Sequence, residues 1–132
     1  MLLSELIGTA LLVTVVVGSG IAAATLSPAD SGLQLLENST ATVFGLAVLI
    51  LVFGPVSGGH FNPVISAVDW LLSRRSGNGL SAVGVGTYAA AQLVGAILGA
   101  LLANIMFDLP ALQISGKDRI SLGHGLGELV AT

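Results

Sequence analysis

Apolar positions in this chain come as long runs, not as alternations. Residues 1–26 form the first run, broken near its start by Ser4 and Glu5. Twenty-five helical residues extend about 38 Å, enough to cross a bilayer with some tilt. A cleaved leader is the competing reading, with Ala22-Ala23-Ala24 imitating a cleavage site. It is disfavoured by the missing basic start, the acidic Glu5 and the length of the run. The turn-rich stretch Ser27-Pro28-Ala29-Asp30-Ser31-Gly32 follows. Asn38 or Ser39 can then cap a second span, 39–53, which Gly54-Pro55 closes. A third span covers 81–107 and ends at Asp108-Leu109-Pro110, and a polar segment, 113–121, leads into His124-Gly125-Leu126-Gly127-Glu128.

A shorter apolar run does not fit this series. After Gly54-Pro55 the chain reads Val56-Ser57-Gly58-Gly59-His60-Phe61-Asn62-Pro63-Val64 and turns apolar again over Ile65–Leu72. Asn62 suits a helix N-cap, and Pro63 suits the first helical position because it lacks an N–H donor. Helix over 63–73 would be about 16 Å long, half a membrane crossing. One account is an ordinary loop with an interfacial helix. The other is a re-entrant half-helix whose N-terminus lies at membrane depth, where irregular backbone survives only inside protein or beside a water-filled cavity. Ser57, His60 and Asn62, set among glycines, favour the second. Carbonyls of the extended stretch Gly58, Gly59, His60 and Phe61 would accept hydrogen bonds from a passing solute, and the Asn62 amide would donate one. The helix N-terminus carries about half a positive charge, which disfavours cations and protons. That chemistry suits a small neutral solute.

Composition narrows the classes. Charged residues make up 8% of 132 positions, hydrophobic residues 54%, and the mean hydropathy is +0.97. Soluble domains carry about 25% charged residues, so the fold expected here is an all-α membrane protein. Four basic against seven acidic residues make no nucleic-acid footprint. There is no cysteine, and His60 and His124 lie far apart, so neither a thiolate nor a metal-ligand spacing is present. No catalytic constellation, metal or cofactor is expected. Arg74 and Arg75 on one side of the third span, against Lys117 and Arg119 on the other, leave orientation undecided. Ala10, Thr14, Gly18 and Ala22, and likewise Ala91, Gly95, Gly99 and Ala103, make stripes of small residues that read as helix packing.

The segment Ser57-Gly58-Gly59-His60-Phe61-Asn62-Pro63-Val64 resembles the first pore motif, SGxHxNPA, of the aquaporin or major intrinsic protein family. Glu5-Leu6-Ile7-Gly8-Thr9 is similar to that family's first-helix ExxGT. The stretch from Tyr88 to Ala100, with Gln92, Gly95 and Gly99, is similar to its YxxAQxxGAxxGA. The resemblance covers nearly the whole chain and departs at Val64, where the family usually has alanine. It implies three transmembrane helices and one re-entrant half-helix in a multi-pass protein of the cell membrane, with the arginine pair cytoplasmic and Glu5 bracing the pore loop near His60. Asn62, Pro63 and Val64 would be the pore motif, and Gly18, Gln92, Gly95 and Gly99 would pack helices. An ungapped count from Asn62 puts Thr42 at the family's constriction. Phe44-Gly45 resembles its aromatic-glycine pair but stands two residues nearer Asn62, and the two positions point about 200° apart. Thr42 is preferred, giving a wider opening, with Phe44 as the alternative.

Glu5 to Thr9 and Glu128 to Thr132 match as ExxxT, the pattern of an inverted repeat beginning again. The organisation expected is a first repeat over 1–121 and the start of a second over 122–132. The expected function is a channel component for water or a small neutral solute, with glycerol-like solutes, metalloid hydroxides and ammonia included. As an isolated half it is expected to make no sealed pore. Its partners would be the lipid bilayer and a missing second half or an antiparallel second copy, with a homo-tetramer for a full-length parent. The readings weighed against this are a fragment of a secondary transporter with a broken helix and a non-transporting scaffold subunit. The first would need an ionisable group at mid-membrane, where only Glu5 is available; the second leaves the polar loop unexplained.

Overall fold

The computed structural model describes residues 1–74, 76–113, 116 and 121–131, with side-chain surroundings up to residue 127. Arg75, Lys117, Arg119 and the side chain of Glu128 lie outside the described residues. Five helices follow one another: α1 (Leu2–Leu26), α2 (Ser31–Ser57), α3 (Pro63–Ser73), α4 (Ala82–Met106) and α5 (Leu122–Ala131). The helices α1, α2 and α4 are long and apolar enough to cross a membrane, and α3 is a short apolar helix. Among the described residues there is no strand.

The boundaries of α1, α3 and α4 fall where the sequence puts them. Those of α2 do not. It begins at Ser31 instead of 39, because Asp30 is its cap, Oδ1 accepting from the Leu33 N–H at 2.9 Å. Asn38 is no cap at all. It lies inside α2 and reaches sideways, Nδ2 donating to Val16 O at 2.8 Å and Ser19 Oγ at 3.0 Å on α1. The polar residues that read as a linker are the first turns of the helix. Nor do Gly54 and Pro55 end α2, which runs on to Ser57 with Pro55 inside it. A proline this near the end removes a single hydrogen bond. Gly58 then stops the helix in the left-handed conformation, φ 91°, its N–H donating to Gly54 O.

α1 is the centre of the assembly, packed against α2 on one side and α4 on the other, while α3 packs against α4. The α1–α4 seam is a backbone contact. A Cβ at Gly95 would strike Leu6 O, and one at Gly99 would strike Ala10 O. The Thr14 hydroxyl, 2.8 Å from Ala10 O, also reaches Gly99 O across the seam at 3.1 Å. Gly18 continues the stripe, facing the Phe107 ring. Close approach of this kind supplies the packing that lipid does not drive. On the other side, Gly45 leaves room for Val15.

Candidate functional site

The loop 58–62 enters between these helices as a sharply turned segment. Gly58 and Gly59 have φ of 91° and 64°, and Phe61 has φ 50°. The glycines adopt such angles without penalty; Phe61 does so at about 1–2 kcal/mol and must be held there. Two contacts hold it. Its ring is buried against α1, where a Cβ at Gly8 would collide with the ring edge, and it meets Phe53 edge-on with centroids 6.1 Å apart. Its N–H donates to Glu5 Oε2 at 2.8 Å.

Glu5 is the hub. Its side chain is completely buried and accepts from four donors. Oε1 takes the Ser57 hydroxyl at 2.7 Å and the His60 N–H at 3.1 Å; Oε2 takes the Phe61 N–H and, at 2.8 Å, the Gln92 amide. Burying a carboxylate is expensive unless its oxygens are satisfied in this way. Gln92 Nε2 also donates to Ser66 Oγ at 3.1 Å, and Ser66 Oγ lies 3.1 Å from His60 Nδ1 and donates to Asn62 O at 3.2 Å. The Tyr88 hydroxyl donates to Ser57 O at 2.9 Å, with its ring edge-on to His60. One closed network thus joins α1, the end of α2, the loop, α3 and α4.

The network leaves the other side of the loop free. The N–H groups of His60 and Phe61 point into Glu5, whereas among the described residues no donor reaches the carbonyls of Gly58, Gly59, His60 or Phe61. Asn62 caps α3, Oδ1 accepting from the Val64 N–H at 2.8 Å, with Pro63 at the first helical position. Its Nδ2 has no partner among the described residues. The result is a set of unpaired acceptors, among the described residues, next to an amide donor and a helix N-terminus.

The sequence candidates divide accordingly. Glu5, Ser57, His60, Phe61, Asn62 and Gln92 come together. Ser57, expected among the loop residues lining the path, is instead the last residue of α2 and is buried, its hydroxyl committed to Glu5. Gln92, expected to pack helices, does more: it bridges Glu5 to α3. Val64 is 47% exposed. Thr42 sits half-buried on the side of α2 that carries the buried Leu49, its hydroxyl shielded and without a partner among the described residues, while Phe44 is 69% exposed on another side. Ser66 has no motif to mark it in the sequence, and Tyr88 and Gly8 stand in family-like stretches without an assigned role. Ser66 could have been found as the first polar residue inside the half-helix, one turn after the cap.

The chain matches the family model described as Major intrinsic protein over residues 1–131. It is similar to Aquaglyceroporin AqpS of Rhizobium meliloti (strain 1021), at 46% identity over 128 residues covering 97% of this chain and 52% of that protein. It is also similar to Aquaporin Z of Photorhabdus laumondii, at 34% identity over 132 residues covering 96% of this chain and 52% of that protein. Human Aquaporin-5 is 43% identical over 79 residues, covering 58% of this chain and 27% of its own length. The chain therefore spans about half the length of the first two relatives. No solved structure matches it.

Proposed function

The chain belongs to the major intrinsic protein family, and on that premise we propose that it supplies the first pore loop and half-helix of a passive membrane pathway for water or small neutral solutes. The observation that carries this reading is the two-sidedness of the loop. The N–H groups of His60 and Phe61 are committed to Glu5, so the loop carbonyls are left to strip and replace solute hydrogen bonds, and Asn62 Nδ2 donates beside them. The positive end of α3 opposes cations at the same point. No step requires a nucleophile or a proton donor.

Glu5 and Gln92 act behind the loop as positioning residues. Residues 1–121 form one repeat in this reading, and Glu128 marks the start of an inverted second. The pathway is walled on its open side by that second repeat, or by an antiparallel second copy; a full-length parent would assemble as a homo-tetramer. Thr42 in place of an aromatic residue widens the constriction, and the similarity to a protein named an aquaglyceroporin supports solutes of glycerol size.

Asn62 and Ser81 allow a controlled test, because both are helix N-caps, Ser81 Oγ accepting from the Gly84 N–H at 3.0 Å. Replacing either by alanine costs about 1 kcal/mol of capping energy. In proteoliposomes of a chain carrying both repeats, stopped-flow light scattering is expected to show permeability falling in Asn62→Ala and unchanged in Ser81→Ala. Equal permeabilities would defeat the assignment. An osmotic step with glycerol, compared with an impermeant solute, sorts water from wider solutes.

A further inference from the structure

The end of the half-helix away from the pore loop carries chemistry that conduction does not use. Trp70 and Arg74 stand one turn apart there, with the Arg74 Cζ 4.9 Å from the centre of the indole ring. A guanidinium stacked on a ring keeps its in-plane N–H fork available for a planar pair of oxygens. Beside it opens a cavity of about 360 Å³ lined by Trp70, Ser73, Arg74 and Ser81 together with glycines 77 and 79 and Leu80. Among the described residues no carboxylate lines it. The nearby Asp69 is engaged by the backbone, its Oδ2 lying beside Gly79 and accepting the Leu80 N–H at 2.9 Å, and it lines the neighbouring cavity with His60 and Tyr88. Ser81 uses a lone pair on Gly84 N–H and keeps its hydrogen to donate. Large apolar side chains adjoin these residues along the chain: Leu71, Leu72 and Val83 are 58%, 77% and 76% exposed.

We propose that this cavity binds the phosphate of an anionic phospholipid headgroup, with Arg74 as the charged anchor and the acyl chains lying over Leu71, Leu72 and Val83. The half-helix is about 16 Å long, so a residue at its end returns from membrane depth to the interface. Tryptophan favours that level, and arginine beside it meets phosphate bidentately. These exposed apolar neighbours favour a lipid over a free phosphate, which would gain nothing from them. The inference needs only that the chain lies in a membrane, and stands whether or not the conduction reading does.

Trp70 is the sole tryptophan of the chain, so its emission reports on the cavity directly. The full chain is reconstituted in phosphatidylcholine vesicles containing brominated phosphatidylglycerol or, at equal mole fraction, brominated phosphatidylcholine. The anionic lipid is expected to quench Trp70 with about fivefold higher apparent affinity, equivalent to about 1 kcal/mol. Raising the salt should shrink that preference, and Arg74→Gln should abolish it. Equal quenching by the two lipids at low salt overturns the proposal, as does a preference that survives both salt and the substitution. Competition by inorganic phosphate at constant ionic strength would assign the cavity to a free anion and overturn it too. Should Arg74→Gln not fold, the salt series on the unaltered chain decides.

Discussion

Two regions hold α1 and α4 together, and they work by opposite means. Along the seam, Gly95 and Gly99 bring backbone against backbone by having no side chain, and little there could be left unsatisfied. Around Glu5, contact is made by side chains whose polar atoms must each find a partner, and nearly all do. Gln92 Oε1 and, one turn from Glu5, Thr9 Oγ1 are the exceptions, buried without a partner among the described residues. The seam fixes how far apart the helices are. The polar network fixes which way the loop faces. Distance can be set by steric exclusion alone, but the direction of a carbonyl needs a hydrogen bond on its opposite side.

The separation can be tested by breaking each region in turn. Glu5→Ala should have the largest effect, because it orphans four donors at once; destabilisation of about 3–5 kcal/mol is expected, read by denaturant titration in detergent. Amide exchange at His60 and Phe61 should lose its protection, and permeability of a two-repeat chain should fall with it. Glu5→Gln sharpens the test. It keeps the volume but turns one oxygen into a donor facing donors, so a loss close to that of alanine is expected. Gly95→Val comes next, at about 3 kcal/mol, since the obstructing atom is the Leu6 carbonyl and cannot rotate aside. Here helix association should weaken while any folded fraction retains protection at His60 and Phe61. If protection were lost as fully as in Glu5→Ala, seam and network would be one unit and the comparison would fail. Thr14→Val is the smallest, about 0.6 kcal/mol, the usual size of an interhelical hydrogen bond in a membrane protein. A change in solute permeability there, with stability unaffected, would mean that the seam also aims the loop.

The sequence makes these regions legible to different degrees. Spans and half-helix can be read because hydrophobic length and the Asn62-Pro63 cap are local signals, and the small-residue stripes announce the seam by their spacing. The start of α2 is hidden, because Gln34, Glu37 and Asn38 are polar whether they belong to a loop or to a helix end at the membrane surface. Only the cap at Asp30 and the sideways reach of Asn38 decide it. Pro55 misleads for a related reason: a helix breaker in the middle of a helix is harmless in its last turn. Within the site, Glu5 stands out as an acid in an apolar run, and the likeness to a known family supplies its role. Ser66 carries no such mark, and Tyr88 opens a family-like stretch that assigns it no partner. A serine on an apolar helix and a tyrosine at a helix start have many uses, and their partners are fixed only once α3 and α4 are packed together. Gln92 hides differently, within a stripe of small residues where packing accounts for its neighbours.

The bond between Glu5 and Gln92 joins positions 87 apart in the chain. At a synthesis rate of about 5–20 residues per second, roughly 4–17 s pass between the appearance of the acid and that of its last donor. During that interval Ser57, His60 and Phe61 have already been made, but the carboxylate they bind lacks its cross-brace, and α3 has no α4 to lie against. The re-entrant segment is therefore made before its brace is complete. Its full bracing is expected only once α4 is in place, so a helix made after the loop is the one that fixes it.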